Sequence, residues 1–114
     1  MKLERMEVGP VTVLRLAGDI DESGVNALRI GLLGCIKEKR FNLVLNLGGV
    51  ELVSYMGLGV LVERLRQFRA CNGDMKLVGI NLLLKRMFRM AGVGALFEVY
   101  ESEAHAVQVY QEAA

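Results

Sequence analysis

A chain of 114 residues has room for one domain and one core. Its hydrophobic fraction of 53% with 24% charged residues is that of a globular fold and excludes a disordered chain. The 14 Lys and Arg nearly balance the 13 Asp and Glu, and a net charge of +1 gives no field to hold a polyanion, which argues against nucleic acid as a ligand.

Lys2 to Val8 and Val11 to Leu16 flank the turn pair Gly9-Pro10 and predict a β-hairpin. After Gly18-Asp19-Ile20-Asp21, the apolar residues Val25, Leu28, Leu32, Cys35 and Ile36 recur at helical spacing, with Asp21 or Ser23 placed to cap the helix. Lys37-Glu38-Lys39-Arg40 closes it with mostly cationic residues, which suit the negative end of the helix dipole. Phe41 to Leu47 is a nearly unbroken apolar run, the pattern of a central strand covered on both faces.

Gly48-Gly49 ends that strand, and Val50 to Tyr55 leads in extended form to a second amphipathic helix from about Met56 to Ala70. Asn72-Gly73-Asp74 marks a turn before a short strand from Met75 to Val78. Asn81 caps a third helix running to Met90, with Ala91-Gly92 as its stop. Phe97 to Tyr100 predicts a last strand, and Ser102 with His105 opens a C-terminal helix. The order β-β-α-β-α-β-α-β-α predicts an α/β fold over residues 1–114: a mostly parallel mixed sheet of about five strands with about four helices. Sites in such sheets lie at the carboxyl ends of the strands, which directs attention to Gly18–Ser23, Val53–Gly59 and Gly79–Asn81.

Cys35 and Cys71 lack CxxC spacing and read as reduced, buried, small hydrophobes. Met1 to Arg5 mixes charges, and the apolar run Leu52 to Val62 is well short of the roughly 20 residues of a membrane span, so the expectation is a cytoplasmic protein without one. A mean hydropathy of +0.34 is high for such a protein and points to apolar surface left for a partner.

The chemistry-bearing residues are few. Gly57-Leu58-Gly59 stands where a phosphate loop would, but Val62 occupies the third glycine position of a dinucleotide fingerprint, so a tight, closely packed turn is the better explanation. His105 is the sole histidine and sits among Glu101, Glu103 and Gln108 on a solvated face. Asp19 and Asp21 have neither nucleophile nor oxyanion donors beside them, and capping or partner contact accounts for them. No cofactor or metal set is expected. Arg64, Arg66, Arg69, Lys85, Arg86 and Arg89 read as solvated helix faces; Met75, Met87 and Met90 take core-like positions, while Met56 falls at an exposed loop-to-helix junction.

Four pieces of the chain resemble the STAS domains of bacterial anti-sigma factor antagonists: Leu16-Ala17-Gly18-Asp19-Ile20-Asp21, Val44-Leu45-Asn46-Leu47-Gly48-Gly49-Val50, Gly57-Leu58-Gly59-Val60-Leu61, and Lys85-Arg86-Met87-Phe88 with Ala91-Gly92-Val93. The resemblance implies a single STAS-like domain that binds an anti-sigma factor of the serine kinase type and so releases a sigma factor. It also implies a phosphoacceptor serine just before Gly57, within Asp-Ser-Ser. Here that stretch reads Ser54-Tyr55-Met56, so the acceptor hydroxyl is replaced by a thioether, and the customary strand Asp is Asn46. Ser54 and Tyr55 are the substitute acceptors within reach.

The function expected first is therefore a non-enzymatic binding module in transcription regulation, docking through Asp19, Asp21, Ser54, Tyr55, Met56, Gly57, Leu58 and Gly59, with Tyr55, Met56 and Leu58 as apolar anchors. The second is a STAS scaffold subunit that self-assembles, as in a homodimer, or binds other STAS proteins in signalling complexes or transporter accessories. A small enzyme or ligand carrier ranks below both.

Overall fold

The computed structural model describes residues 1–113. Its elements are β1 (Lys2–Val8), β2 (Val11–Ala17), α1 (Glu22–Lys37), β3 (Asn42–Gly49), α2 (Tyr55–Ala70), β4 (Asp74–Val78), α3 (Leu82–Met90), a 3-10 turn (Gly94–Leu96), β5 (Val99–Tyr100) and α4 (Glu103–Ala113). The strands form one sheet in the order β1-β2-β3-β4-β5. β1 pairs antiparallel with β2 through Val8 opposite Val11, and the remaining pairs are parallel. Gly9 makes the hairpin possible with φ +59, a conformation glycine adopts without steric cost.

Alternation along the strands separates two cores. Leu14, Leu16, Leu43, Leu45, Leu47, Met75 and Leu77 pack with Leu28, Leu32, Leu61, Leu65 and Phe68 of α1 and α2 and with Leu84 and Phe88 of α3. Val11, Val13, Val44 and Val78 face the other way and bury Ala106, Val107 and Tyr110 of α4. β3 is covered on both faces, as its unbroken apolar run predicts.

Burial raises the Tyr110 phenol well above its ordinary pKa, and its hydroxyl donates to the Leu43 carbonyl at 2.6 Å. Lys76, only 6% exposed, lies over the Tyr110 ring at 4.7 Å. Burial alone would lower its pKa, but hydrogen bonds to Glu98 at 2.7 Å and Asp74 at 2.9 Å outweigh that and hold the ammonium charged.

Three expectations are corrected. The last strand is only Val99–Tyr100, because the 3-10 turn swings Phe97 inward, 7% exposed, edge-on to Phe88 at 5.6 Å. Cys35 is buried as expected, but Cys71 is exposed because it caps the C-terminus of α2 rather than standing on its inner face. Met75 is fully buried and Met87 packs against the core, whereas Met90 is 73% exposed at the end of α3.

Tyr110→Phe deletes one buried hydrogen bond without changing shape. The variant is expected to lose about 1–2 kcal/mol in denaturant melts and several degrees in melting temperature; an unchanged midpoint would mean that the hydroxyl contributes nothing to anchoring α4.

Candidate functional site

The loops after β2 and β3 are joined outside the sheet. Ile20 and Val53 form an isolated parallel bridge, with the Ile20 N–H donating to the Leu52 carbonyl and the Ser54 N–H to the Ile20 carbonyl, both at 2.8 Å. The bridge sets the first turns of α1 and α2 beside each other. Asp21 caps α1, its Oδ1 accepting from the Ser23 and Gly24 N–H groups at 3.0 Å. The hydrogen bond from the Ser23 hydroxyl, followed by that from Gly24, holds the Asp21 carboxyl below its usual pKa, so it is ionised at neutral pH. Asp19 lies exposed two residues earlier.

Ser54 caps α2, its half-buried Oγ accepting from the Gly57 N–H at 3.1 Å. Its hydroxyl is thus already engaged in the fold. Tyr55 and Met56 occupy the first two helical positions and are 77% and 54% exposed. Gly57 is buried; a Cβ there would come within 2.8 Å of Ile20 Cγ2 and 3.0 Å of Val53 Cγ1. Close packing therefore requires glycine at 57, but Gly59 has open space around its Cα and does not share that reason.

Leu58 departs from its expected role. At 3% exposure it belongs to the core and forms the floor of the surface rather than a projecting anchor. Two grooves share Tyr55 and Leu58. One of about 320 Å³ is lined by Leu52, Val53, Ser54, Met87 and Met90 in addition. The other, about 640 Å³, runs along α2 past Gly59, Val62 and Arg66 towards Ala91 and Val93.

Exposed Leu52 and the α3 residues Leu82, Leu83 and Met90 therefore extend the apolar surface well beyond the predicted loop. A sequence signal for them existed: three consecutive leucines, Leu82 to Leu84, cannot all face inward on a helix, and only Leu84 does. His105 is exposed against the edge of Tyr100, with ring centres 5.1 Å apart. Among the described residues no cluster of His, Cys, Asp and Glu is placed to hold a metal ion, and no helix is long and apolar enough to cross a membrane.

Asn46 explains itself by its neighbours. Its Nδ2 donates to Glu103 Oε2 at 2.7 Å while its Oδ1 accepts from the Gly48 N–H at 2.8 Å, so the amide supplies a donor and an acceptor that a carboxylate cannot supply together. Arg15 also binds Glu103, with two bonds of 2.8 Å. The Arg15 hydrogen bond above all, helped by Asn46, keeps the Glu103 carboxyl below its usual pKa.

The STAS domain family model matches residues 2–106, and the chain belongs to that family. It is 24% identical over 98 residues to an anti-sigma F factor antagonist of Paenibacillus polymyxa, covering 85% of this chain and 84% of that one. Among solved structures, an anti-sigma factor antagonist from Mycobacterium paratuberculosis superposes with a TM-score of 0.84 at 20% identity, covering 95% of this chain and 92% of the other. The Bacillus cell fate determinant SpoIIAA in its phosphorylated form gives 0.74, also at 20% identity, covering 96% and 99%.

Asn46→Asp would set a second carboxylate against Glu103. Such a pair has a raised folded-state pKa and binds protons more tightly in the native state, so its penalty grows as pH rises. The variant is expected to lose ~2 kcal/mol at pH 7 and to recover most of it near pH 4, measured by urea melts at both pH values. An equal deficit at both would show that the two carboxylates do not oppose each other.

Proposed function

We propose that this chain is an anti-sigma factor antagonist-like binding module: it docks on an anti-sigma factor of the serine kinase type and thereby regulates a sigma factor by partner switching. The names of its relatives support the partner class. The docking face comprises Tyr55 and Met56 at its centre, Ser54, Gly57, Leu58 and Gly59 beneath and around them, and Asp19 with Asp21 on the α1 side.

One observation carries this reading. Two large apolar side chains stand mostly exposed on the first turn of α2, at the position where the resemblance places the regulatory serine. Covering each would contribute on the order of 1–2 kcal/mol, and large apolar side chains of this kind are the usual anchors of an interface. In a phosphorylated relative a charge of about −1.5 to −2 is added. Met56 has no hydroxyl to carry it, and the Ser54 hydroxyl, two residues earlier, is engaged as the cap of α2. Phosphate therefore cannot be installed at the position the family uses, and that means of closing the surface is missing here.

Met56→Asp tests the face without weakening the fold, since an anion on the first turn suits the helix dipole. The variant should capture the anti-sigma factor at least about tenfold more weakly, two or three methylene equivalents of burial being lost and a charge introduced, while its thermal midpoint stays within about 2 °C of the parent. Equal capture by variant and parent would remove this turn from the interface.

A further inference from the structure

Helix α3 and the trough beside it carry features that the docking turn does not use. Leu83, Met87 and Met90 recur at i, i+4 and i+7 and so form one stripe. Leu83 and Met90 are 53% and 73% exposed, and Met87 and Met90 wall the smaller groove opposite Tyr55. Arg86 borders this stripe, and α3 carries Lys85 and Arg89 besides but no acidic residue. Arg66 stands in the larger groove, where Glu63 is the acidic side chain present.

Arg5, Arg15, Arg40, Arg69 and Lys76 meet carboxylates, whereas the other described Lys and Arg keep their charge for solvent or a partner. Among the described residues Arg66, Lys85, Arg86 and Arg89 form no ion pair. An apolar trough bordered by cations without internal partners is complementary to an apolar stripe bordered by acids.

We infer that the trough between α2 and α3 receives an acidic amphipathic helix of a protein partner, whose apolar face covers Leu83, Met87 and Met90 and whose carboxylates meet Arg66, Arg86 and Arg89. This deepens the docking reading and rests on it in placing the helix on the same partner. The shape selects a helix over a bilayer. The two grooves share Tyr55 and Leu58 in their lining, so a flat surface resting on exposed Leu82 would leave them unfilled, whereas an inserted helix fills them. A second copy of this chain is disfavoured as occupant, because a two-fold contact through this face would set its cations against themselves.

The test is site-specific photo-crosslinking in the protein's own cells, with p-benzoylphenylalanine placed at Leu83 in one full-length variant and at Met56 in another, and the adducts sequenced by mass spectrometry. Position 83 should capture a partner segment with apolar residues at helical spacing and a net negative charge. Arg86→Glu with Arg89→Glu should cut that yield about tenfold, while Arg86→Lys with Arg89→Lys preserves it and both fold like the parent by circular dichroism. A neutral or basic segment, a lipid adduct, a second copy of the chain, or no adduct at position 83 would overturn the inference. Capture at 56 without capture at 83 removes the helix site and leaves the docking turn; an acidic helix at 83 with nothing at 56 does the reverse.

Discussion

The bridge between Ile20 and Val53 is the constraint on which the surface depends. Two 2.8 Å hydrogen bonds tie the loop after β2 to the loop after β3 beyond the end of the sheet. Gly57 then lies directly on that bridge, with space for a hydrogen but not for a methyl group. The first turn of α2 is thereby held against the first turn of α1, and what projects from it is decided by position alone: Tyr55 and Met56 outward, Gly57 and Leu58 inward. A surface held in this way requires little ordering on binding, which is one of the costs of association.

Around that turn the surface changes character by element. Asp19, Asp21 and Glu22 make the α1 side acidic and exposed, with Asp21 fixed by its own helix. The α3 side is basic and apolar, and the strip between consists of Leu52, Tyr55 and Met56. Such a face has a direction, so a partner can dock on it in one orientation, and complementary charges act on orientation and encounter more than on affinity. In the proposed docking the apolar strip would supply the affinity.

Much of this was legible in the residues. Strand and helix order followed from periodicity, the cap Asn81 from residue type, the cap of α1 as one of two candidates, Asp21 or Ser23, and the exposure of Met56 from its place at a junction. What escaped was decided by tertiary neighbours. Phe97 has strand propensity, yet a 3-10 turn and the Phe88 ring take it into the core. Met90 and Cys71 look like core residues by type, but each falls at a helix end after the buried stripe has rotated away. Leu58 reads as an anchor because it lies two residues from Met56, although two helical steps turn it about 200° away and into the core. Asn46 is intelligible only once Glu103, 57 residues away, is seen to face it.

The proposed function unites these features as one face whose readiness to bind would be built into its covalent structure. The direct measurement is calorimetric titration of this chain into the proposed partner, a purified anti-sigma factor of the serine kinase type, before and after prolonged incubation of the two with ATP and magnesium, with the intact mass of the chain recorded each time. The account predicts one affinity throughout and an unchanged mass. A gain of one phosphoryl group accompanied by loss of binding would contradict it.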